Sequence, residues 1–587
     1  MDDALSEPAS WVTTEALMKY RVERSPDGEW IMADVWKRGA GLLTDALFNK
    51  GTAFTQEERQ LFDLDGMLPH QVTDREHQVR RAWEHLQAKG DDPLEKYVCM
   101  ASLQGRNETL YFQVLSEHIE ELTPIVYTPT VGEAATCFSH AFRRGRGLWI
   151  TPDHRGRIYD ILGHVRNEDV RLIVVTDNER ILGLGDQGVG GMVIPIGKLA
   201  LYTLGAGIHP AYTLPISLDV GTDNQDLLED DLYAGWQEPR LRGEPYYELV
   251  DEFVDAVQRR FPDAILQWED FLKANAFTLL DRYRSVLPSF NDDIQGTGAA
   301  IVAGIIAACN RTGTKLTDQR FLMVGAGAAG VGISRHFRHA LVAAGMSEED
   351  LPNHVAVYDT IGLISMATDG LEPHQHEVAW PSELAEARGL AGEESIDLIH
   401  VIETYQPTII AGATGAPGLF TEEVIRTMAR YVERPVVMAL SNPTSKCEVV
   451  PRDVIEWTDG RAIVATGSPF DPVEYEGQTH TISQANNIYI FPGVGMGALI
   501  SKAREVTDSM FVAASDALAA RTIAANADDN SLYPPLRNLR IITRDIAGAV
   551  AREARDAGVG RDLTDEQIEQ ELDHEIWNFD YPTLKPI

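Results

Sequence analysis

A glycine fingerprint set between a strand and a helix constrains this chain more than any other feature. Gly325-Ala-Gly-Ala-Ala-Gly330 follows the apolar run RFLMV directly and leads into a helix of small residues. In an open parallel α/β sheet that order holds the pyrophosphate of a dinucleotide. The first glycine turns the chain, the second lets the phosphate approach the backbone, and the helix N-terminus faces the anion. Glycines that serve only tight helix–strand packing are the other reading of the same letters. A second Gly-x-Gly-x-x-Gly, GLGDQG at 183–188, also follows a strand and has Asp219 after a later strand, so pattern alone leaves two candidate turns. The strand after the later copy ends in Asp359, suited to accept ribose hydroxyls, at a spacing longer than the usual ~20 residues. Thr360 follows it and no basic residue appears before His374, which favours NAD over NADP, because a 2′-phosphate wants Arg or Lys at that strand end.

The surrounding chain has the alternation such a turn requires. After Trp149 come RLIVVTD, VIPIGKLALYTLGAG, YTLPISLDVG and a long helix around YYELVDEFVDAVQRRF. From Asn291 a second series begins: the apolar helix AAIVAGIIAAC, the strand RFLMVG, a helix near ISRHFRHALVAAG and the strand HVAVYDT. PTIIAGATG, RPVVMALSNPT and RAIVATGSPF each end a strand in a polar or Gly-rich loop, and the carboxyl ends of parallel strands form the ligand crevice. This alternation predicts parallel α/β architecture. Residues 35–145 lack recurring β-rich runs and read as helical, and the C-terminal stretch reads as helical again before a polar tail.

At 587 residues the chain exceeds one ordinary core, so roughly two to four domains are expected. Its formal net charge of -38 argues against a nucleic-acid partner, whose phosphates would be repelled. The same field opposes any anionic ligand, so a binding site here needs local cations. No apolar run approaches the ~18 residues that span a bilayer, and a membrane protein is not expected. The segment MDDALSEPASWVTTEALMKY has neither the build of a signal peptide nor that of a transit peptide, so a cytoplasmic location is expected. Cys99, Cys137, Cys309 and Cys447 lie far apart, without a CxxC motif or a disulfide framework.

Two acidic pairs lie near the fingerprint, Glu269-Asp270 in QWEDF and Asp292-Asp293 in FNDDIQGTG. Glu269, Asp270 and Asp293 are oxygen donors at segment ends, suited to octahedral Mg²⁺ or Mn²⁺. In a chain this acidic they are equally read as solvated carboxylates, and Asp292 or Asp293 as caps of the helix starting near Gly298. Lys198 lies in the apolar helical segment IPIGKLALYTLG, where it is either a buried general base of lowered pKa or a lysine snorkelling to the surface. Arg180 suits bidentate grip of a carboxylate, and Tyr127 suits a general acid or a core ring. Asn442 in LSNPT and Asn487 in QANNIYIFPG follow apparent strands, where amides orient a ligand or build a turn.

Singly these signals are unspecific. In combination, the ordered set VYTPTVG, TDNERILGLGDQGVGGMVIPIGK, QWEDF, FNDDIQGTG, GAGAAG, ALSNPT and QANNIYIFPGVG strongly resembles the malic enzymes, from near GLLTDALFNKGTAFT to past SLYPPL. The resemblance implies oxidation of L-malate with NAD(P)⁺, decarboxylation of bound oxaloacetate with help from Mn²⁺ or Mg²⁺, and tautomerisation of enolpyruvate. By that resemblance Glu269, Asp270 and Asp293 are metal ligands. Lys198 takes the C2 hydroxyl proton, Asp292 tunes or orients it, and Tyr127 protonates C3. Arg180, Asn442 and Asn487 bind substrate. Arg180, Asp293, Gly325, Gly327, Gly330, Asp359 and Asn442 bind the cofactor.

The resemblance assigns GLGDQG to the substrate side and GAGAAG to the nucleotide. The fold it implies is α/β and multidomain. A helical N-terminal domain spans 1–145, and a central substrate and metal domain spans 146–290 and is completed by 488–560. A Rossmann-like NAD-binding domain spans 291–487, and an extension at 561–587 is used in assembly as a homodimer or homotetramer. Some animal members have a fumarate site built on two arginines. Arg106 matches one, the other falls on Arg80 or Arg81, and activation by fumarate is not predicted from that. Two rival functions share these motifs. A malolactic enzyme keeps the cofactor bound and releases L-lactate, and a non-catalytic metabolite sensor would lack a catalytic group.

Overall fold

The computed structural model describes residues 20–25, 28–165, 167–181, 183–391, 396–525 and 531–587. The segment read for targeting signals, residues 1–19, lies outside them. The chain forms two compact units and passes between them at 173/174, 191/192, 264/265 and 573/574. Residues 488–560, expected with the central domain, belong to the unit that carries the fingerprint.

The first unit takes the described residues up to Ile173, Met192–Ala264 and His574–Ile587. Its helices begin where short polar side chains can hold a free N–H. Asp74, Asp92 and Asn107 accept from the amides of His77, Glu95 and Leu110 at 3.0, 3.1 and 2.9 Å, opening helices Arg75–Gln87, Pro93–Gln104 and Glu108–Glu117. The expected long helix is Glu244–Arg260. It buries Leu249, Val250, Phe253, Val254 and Val257 on one face and ends on Arg259 and Arg260, which suit the helix dipole. The polar tail is no loose end: Thr583–Pro586 pairs in parallel with Trp30–Val35, and Trp577 is buried.

One run, Gly188–Ala206, is long and apolar enough to cross a membrane by length and composition, contrary to the expectation that none is. It is 94% buried within the protein, as a core helix is.

The second unit is built on a seven-stranded sheet. Its order is Gly362–Leu363, Val355–Asp359, Phe321–Val324, Ile409–Gly412, Val436–Ala439, Ile463–Thr466 and Ser483–Gln484. All neighbours are parallel except the first pair. The five inner strands read as apolar runs, which is why they were visible in the sequence; the two-residue edge strands Gly362–Leu363 and Ser483–Gln484 carry no such run and were not. The chain leaves Phe321–Val324 towards one side and returns at Ile409–Gly412 on the other. That reversal is the switch point at which doubly wound sheets open a crevice. All four cysteines are free thiols.

Candidate active site

The fingerprint lies at that switch point, and each glycine has its own physical reason. Gly325 has φ +105°, and a Cβ there would sit 2.7 Å from Ala413 O, at the end of the neighbouring strand. Gly327 precedes helix Ala328–Ala343, and a Cβ there would meet nothing within 4 Å, the open side on which a ligand can approach backbone. A Cβ on Gly330 would overlap Gly325 O, so this glycine closes the helix onto the strand. Asp359 accepts from the amides of Ala326 and Thr360 at 2.8 and 2.7 Å, which holds its carboxylate at the same turn. The GLGDQG copy leads instead into a 3₁₀ turn, Gly188–Met192, before helix Val193–Leu201, so its last glycine does not open an α-helix directly. Asp219 is buried in its own loop, taking the Trp236 amide at 2.7 Å.

The acidic residues come together through two short strands of the second unit. Ile265–Glu269 pairs in parallel with Ser289–Asn291, so Glu269 and Asp270 leave one strand end beside Asp293 at the next. Asp270 adopts φ +58°, its amide donates to Asp293 Oδ2 at 2.8 Å, and its carbonyl accepts the Arg180 amide at 2.9 Å. Gln267 donates to Glu269 Oε2 at 2.7 Å. One carboxylate oxygen from each of Glu269, Asp270 and Asp293 lies within 4.8 Å of the others. Ligands at about 2.1 Å from a six-coordinate Mg²⁺ or Mn²⁺ stand about 3–4 Å apart, so the all-oxygen set fits such an ion. Hydrogen bonds that orient Glu269 and Asp293 are the second support a metal site needs.

Neither aspartate of the second pair caps the following helix. Asn291 accepts the Ile294 amide at 3.0 Å, and residues Asp292–Gly296 form a wide turn ahead of helix Thr297–Thr312. Asp292 is fully buried and accepts from Asn487 Nδ2 at 2.8 Å. Arg180 is exposed. Its loop continues to Gly183, which packs on Asn442 O and Pro443. Asn442 Oδ1 accepts from Ser468 Oγ. Arg180, Asn442, Asn487 and the three carboxylates thus belong to one unit. Tyr127 and Lys198 belong to the other, where Lys198 does not snorkel: it is 1% exposed, with Nζ 5.6 Å from the centre of the Tyr127 ring. Burial pushes His336, on the fingerprint helix, down to about 3, so it stays neutral against Ser515 Oγ.

Three contributors escaped the reading by motif: Gln267, Ser468 and Glu448. Glu448 had a signal, a carboxylate inside the otherwise apolar run CEVV. Separately, in the first unit, Arg81 and not Arg80 shares a cavity of about 370 Å³ with Arg106, Gln78 and Asn107.

The family model described as malic enzyme, N-terminal domain, matches residues 104–284, and that described as malic enzyme, NAD binding domain, matches 294–555. A protein of Acinetobacter baylyi named NAD-dependent malic enzyme is 46% identical over 94% of this chain and 97% of its own. One of Pectobacterium atrosepticum with the same name is 47% identical over 93% and 96%. The chain belongs to the malic enzyme family. Solved malic enzymes share its fold: that of Entamoeba histolytica at TM-score 0.55 and 22% identity, covering 89% of this chain and 92% of its own, and that of Pyrococcus horikoshii at 0.52 and 25%, covering 78% and 89%. The expected α/β multidomain fold with a Rossmann-like nucleotide sheet is therefore that of a malic enzyme.

Proposed function

We propose that this protein oxidises L-malate to pyruvate and CO₂ with reduction of NAD⁺, and that Mn²⁺ or Mg²⁺ is required. The observation that carries the reading is the cluster of Glu269, Asp270 and Asp293 at two strand ends, tied by backbone to the loop of the exposed Arg180. Relatives named NAD-dependent malic enzyme, 45–47% identical over 93–94% of the chain, support the substrate and the cofactor.

When bound, NAD⁺ at the fingerprint supplies a hydride acceptor, and the metal on the three carboxylates supplies a Lewis acid. Arg180 grips a malate carboxylate in bidentate fashion, and the amides of Asn442 and Asn487 orient the substrate. Lys198 takes the proton of the C2 hydroxyl, with Asp292 tuning it, so that C2 becomes a carbonyl carbon. The β-keto acid then loses the carboxylate on C3 as CO₂, and Tyr127 delivers the proton that completes the methyl group of pyruvate. Asp359 accepts the ribose hydroxyls, and the segment from Thr360 to Pro373 carries no basic residue to favour a 2′-phosphate. We take the working form to be a cytoplasmic homodimer or homotetramer. A monomer in sedimentation equilibrium at micromolar concentration would remove the oligomer, and recovery in the membrane fraction would remove the location.

The test mixes purified protein with L-malate, NAD⁺ and Mn²⁺, following NADH absorbance while assaying pyruvate and lactate, with EDTA and NADP⁺ controls. Equal NADH and pyruvate, abolished by EDTA and weaker with NADP⁺, is the expected result. Lactate without net NADH, or no product, overturns the reading.

A further inference from the structure

In the second unit Glu448 is fully buried, and no ion pair involves it among the described residues. A carboxylate in that position is costly unless its oxygens are taken up by donors. All its donors come from two loops. Oε1 accepts from the Thr414 amide at 2.9 Å, from Thr414 Oγ1 at 3.0 Å and from Ser441 Oγ, and Oε2 accepts from the Ser441 amide at 3.3 Å. Ser441 Oγ in turn accepts from the amides of Thr414 and Gly415 at 3.1 and 2.8 Å. Room is kept for this side chain: a Cβ on Gly412 would lie 2.7 Å from Glu448 Cγ.

The two loops follow adjacent strands, Ile409–Gly412 and Val436–Ala439. The first runs beside the fingerprint, with Ala413 O and Thr414 Cγ2 2.7 and 3.3 Å from where a Cβ of Gly325 would be. The second carries Asn442 directly after Ser441. A buried ionisable group without a cation is poor stabiliser compared with an apolar side chain of the same volume, so its use here points to placement of what it binds.

We infer that Glu448 is a positioning residue: it locks the Thr414–Gly415 and Ser441–Asn442 loops in register across the crevice, and so sets the fit of the dinucleotide and of Asn442. This rests on the functional reading above. The test is Glu448→Gln, which keeps the shape and one acceptor but turns a donor towards the Ser441 amide, alongside Ser441→Ala and the double variant. Amide exchange at Thr414, Gly415 and Ser441, thermal midpoint and steady-state kinetics are read together. In Glu448→Gln, protection of those amides falls at least about 10-fold. KM for NAD⁺ rises by about 10-fold and that for malate by less, while kcat changes under about 3-fold and the midpoint holds. Ser441→Ala gives a smaller rise in KM, and the double variant is no worse than Glu448→Gln, because both act through one network. Unchanged protection overturns the inference whatever the activity. Normal protection loss with parental KM values overturns its link to the ligand, and a parent that turns over no malate overturns the functional reading instead.

Discussion

At the crevice of the second unit, side chains are chosen against their local cost: Asp270 holds a positive φ, Asp292 and Glu448 are buried carboxylates, and Gly325 and Gly330 are tolerated only because a Cβ would not fit. In the first unit the segment His574–Ile587 does the opposite. Trp577 lies against Phe112 and His209, and Leu584 pairs with Met32, each contact a favourable burial between positions hundreds of residues apart. One region is arranged around what it binds, the other around what it excludes from water. Substitutions in the first should therefore change kinetics at constant stability, and those in the second should do the reverse.

The largest departure from parent is expected in the first unit, at the residue proposed as the base. Lys198→Ala removes the amine proposed above as the base for the C2 hydroxyl proton, and malate oxidation should fall by about 10²–10⁴-fold. Decarboxylation of added oxaloacetate, which needs no such base, should be largely spared. Equal turnover of malate by variant and parent would remove Lys198 from its role, and loss of both reactions together would mean that the burial of Lys198 is structural.

Trp577→Ala sharpens the contrast from the other side. The indole is 1% exposed, donates to Asp580 O at 3.0 Å, and its loss should lower unfolding free energy by about 3–5 kcal/mol with KM for malate unchanged at low temperature. A raised KM with intact stability would break the division drawn above. Gly296→Ala is expected to be milder and of the opposite kind. Its new methyl would overlap Asp292 Oδ1 and force that carboxylate to turn, away from its bond with Asn487. A fall of about 10-fold in kcat/KM, roughly 1.4 kcal/mol of transition-state stabilisation, should accompany an almost constant thermal midpoint.

The same contrast explains what could be read from the chain beforehand. Glu269-Asp270, Asp292-Asp293 and the fingerprint were legible because a ligand held by strand ends uses consecutive residues and backbone, and parallel strands bring those ends together. The choice between the two glycine patterns was not legible from spacing. It depends on open space beside Gly327 and on the sheet reversal, which are properties of neighbours. Asn291 as the cap, in place of either aspartate, depends on a wide turn whose hydrogen bonds leave no period in the sequence. The strand Thr583–Pro586 read as a polar tail because TLKP alternates poorly, with one residue of four buried, and its partner lies at the other end of the chain.

Tyr581→Phe tests the long-range region with the smallest change. The Tyr581 hydroxyl accepts from Asn107 Nδ2 and donates to Gln78 Oε1, both at 2.9 Å, and burial raises its pKa, so it remains a donor at any working pH. Gln78 keeps its bond to Lys50 O at 2.8 Å, and Asn107 still accepts the Leu110 amide as a cap, so the helices themselves stay closed. Removing the oxygen leaves one donor and one acceptor without each other's bridge, at a cost of about 1–2 kcal/mol in urea unfolding. Kinetic constants should not move. If they do while stability holds, the Arg81–Arg106 cavity, whose walls include Gln78 and Asn107, communicates with the active site, and the first unit is more than a packed support.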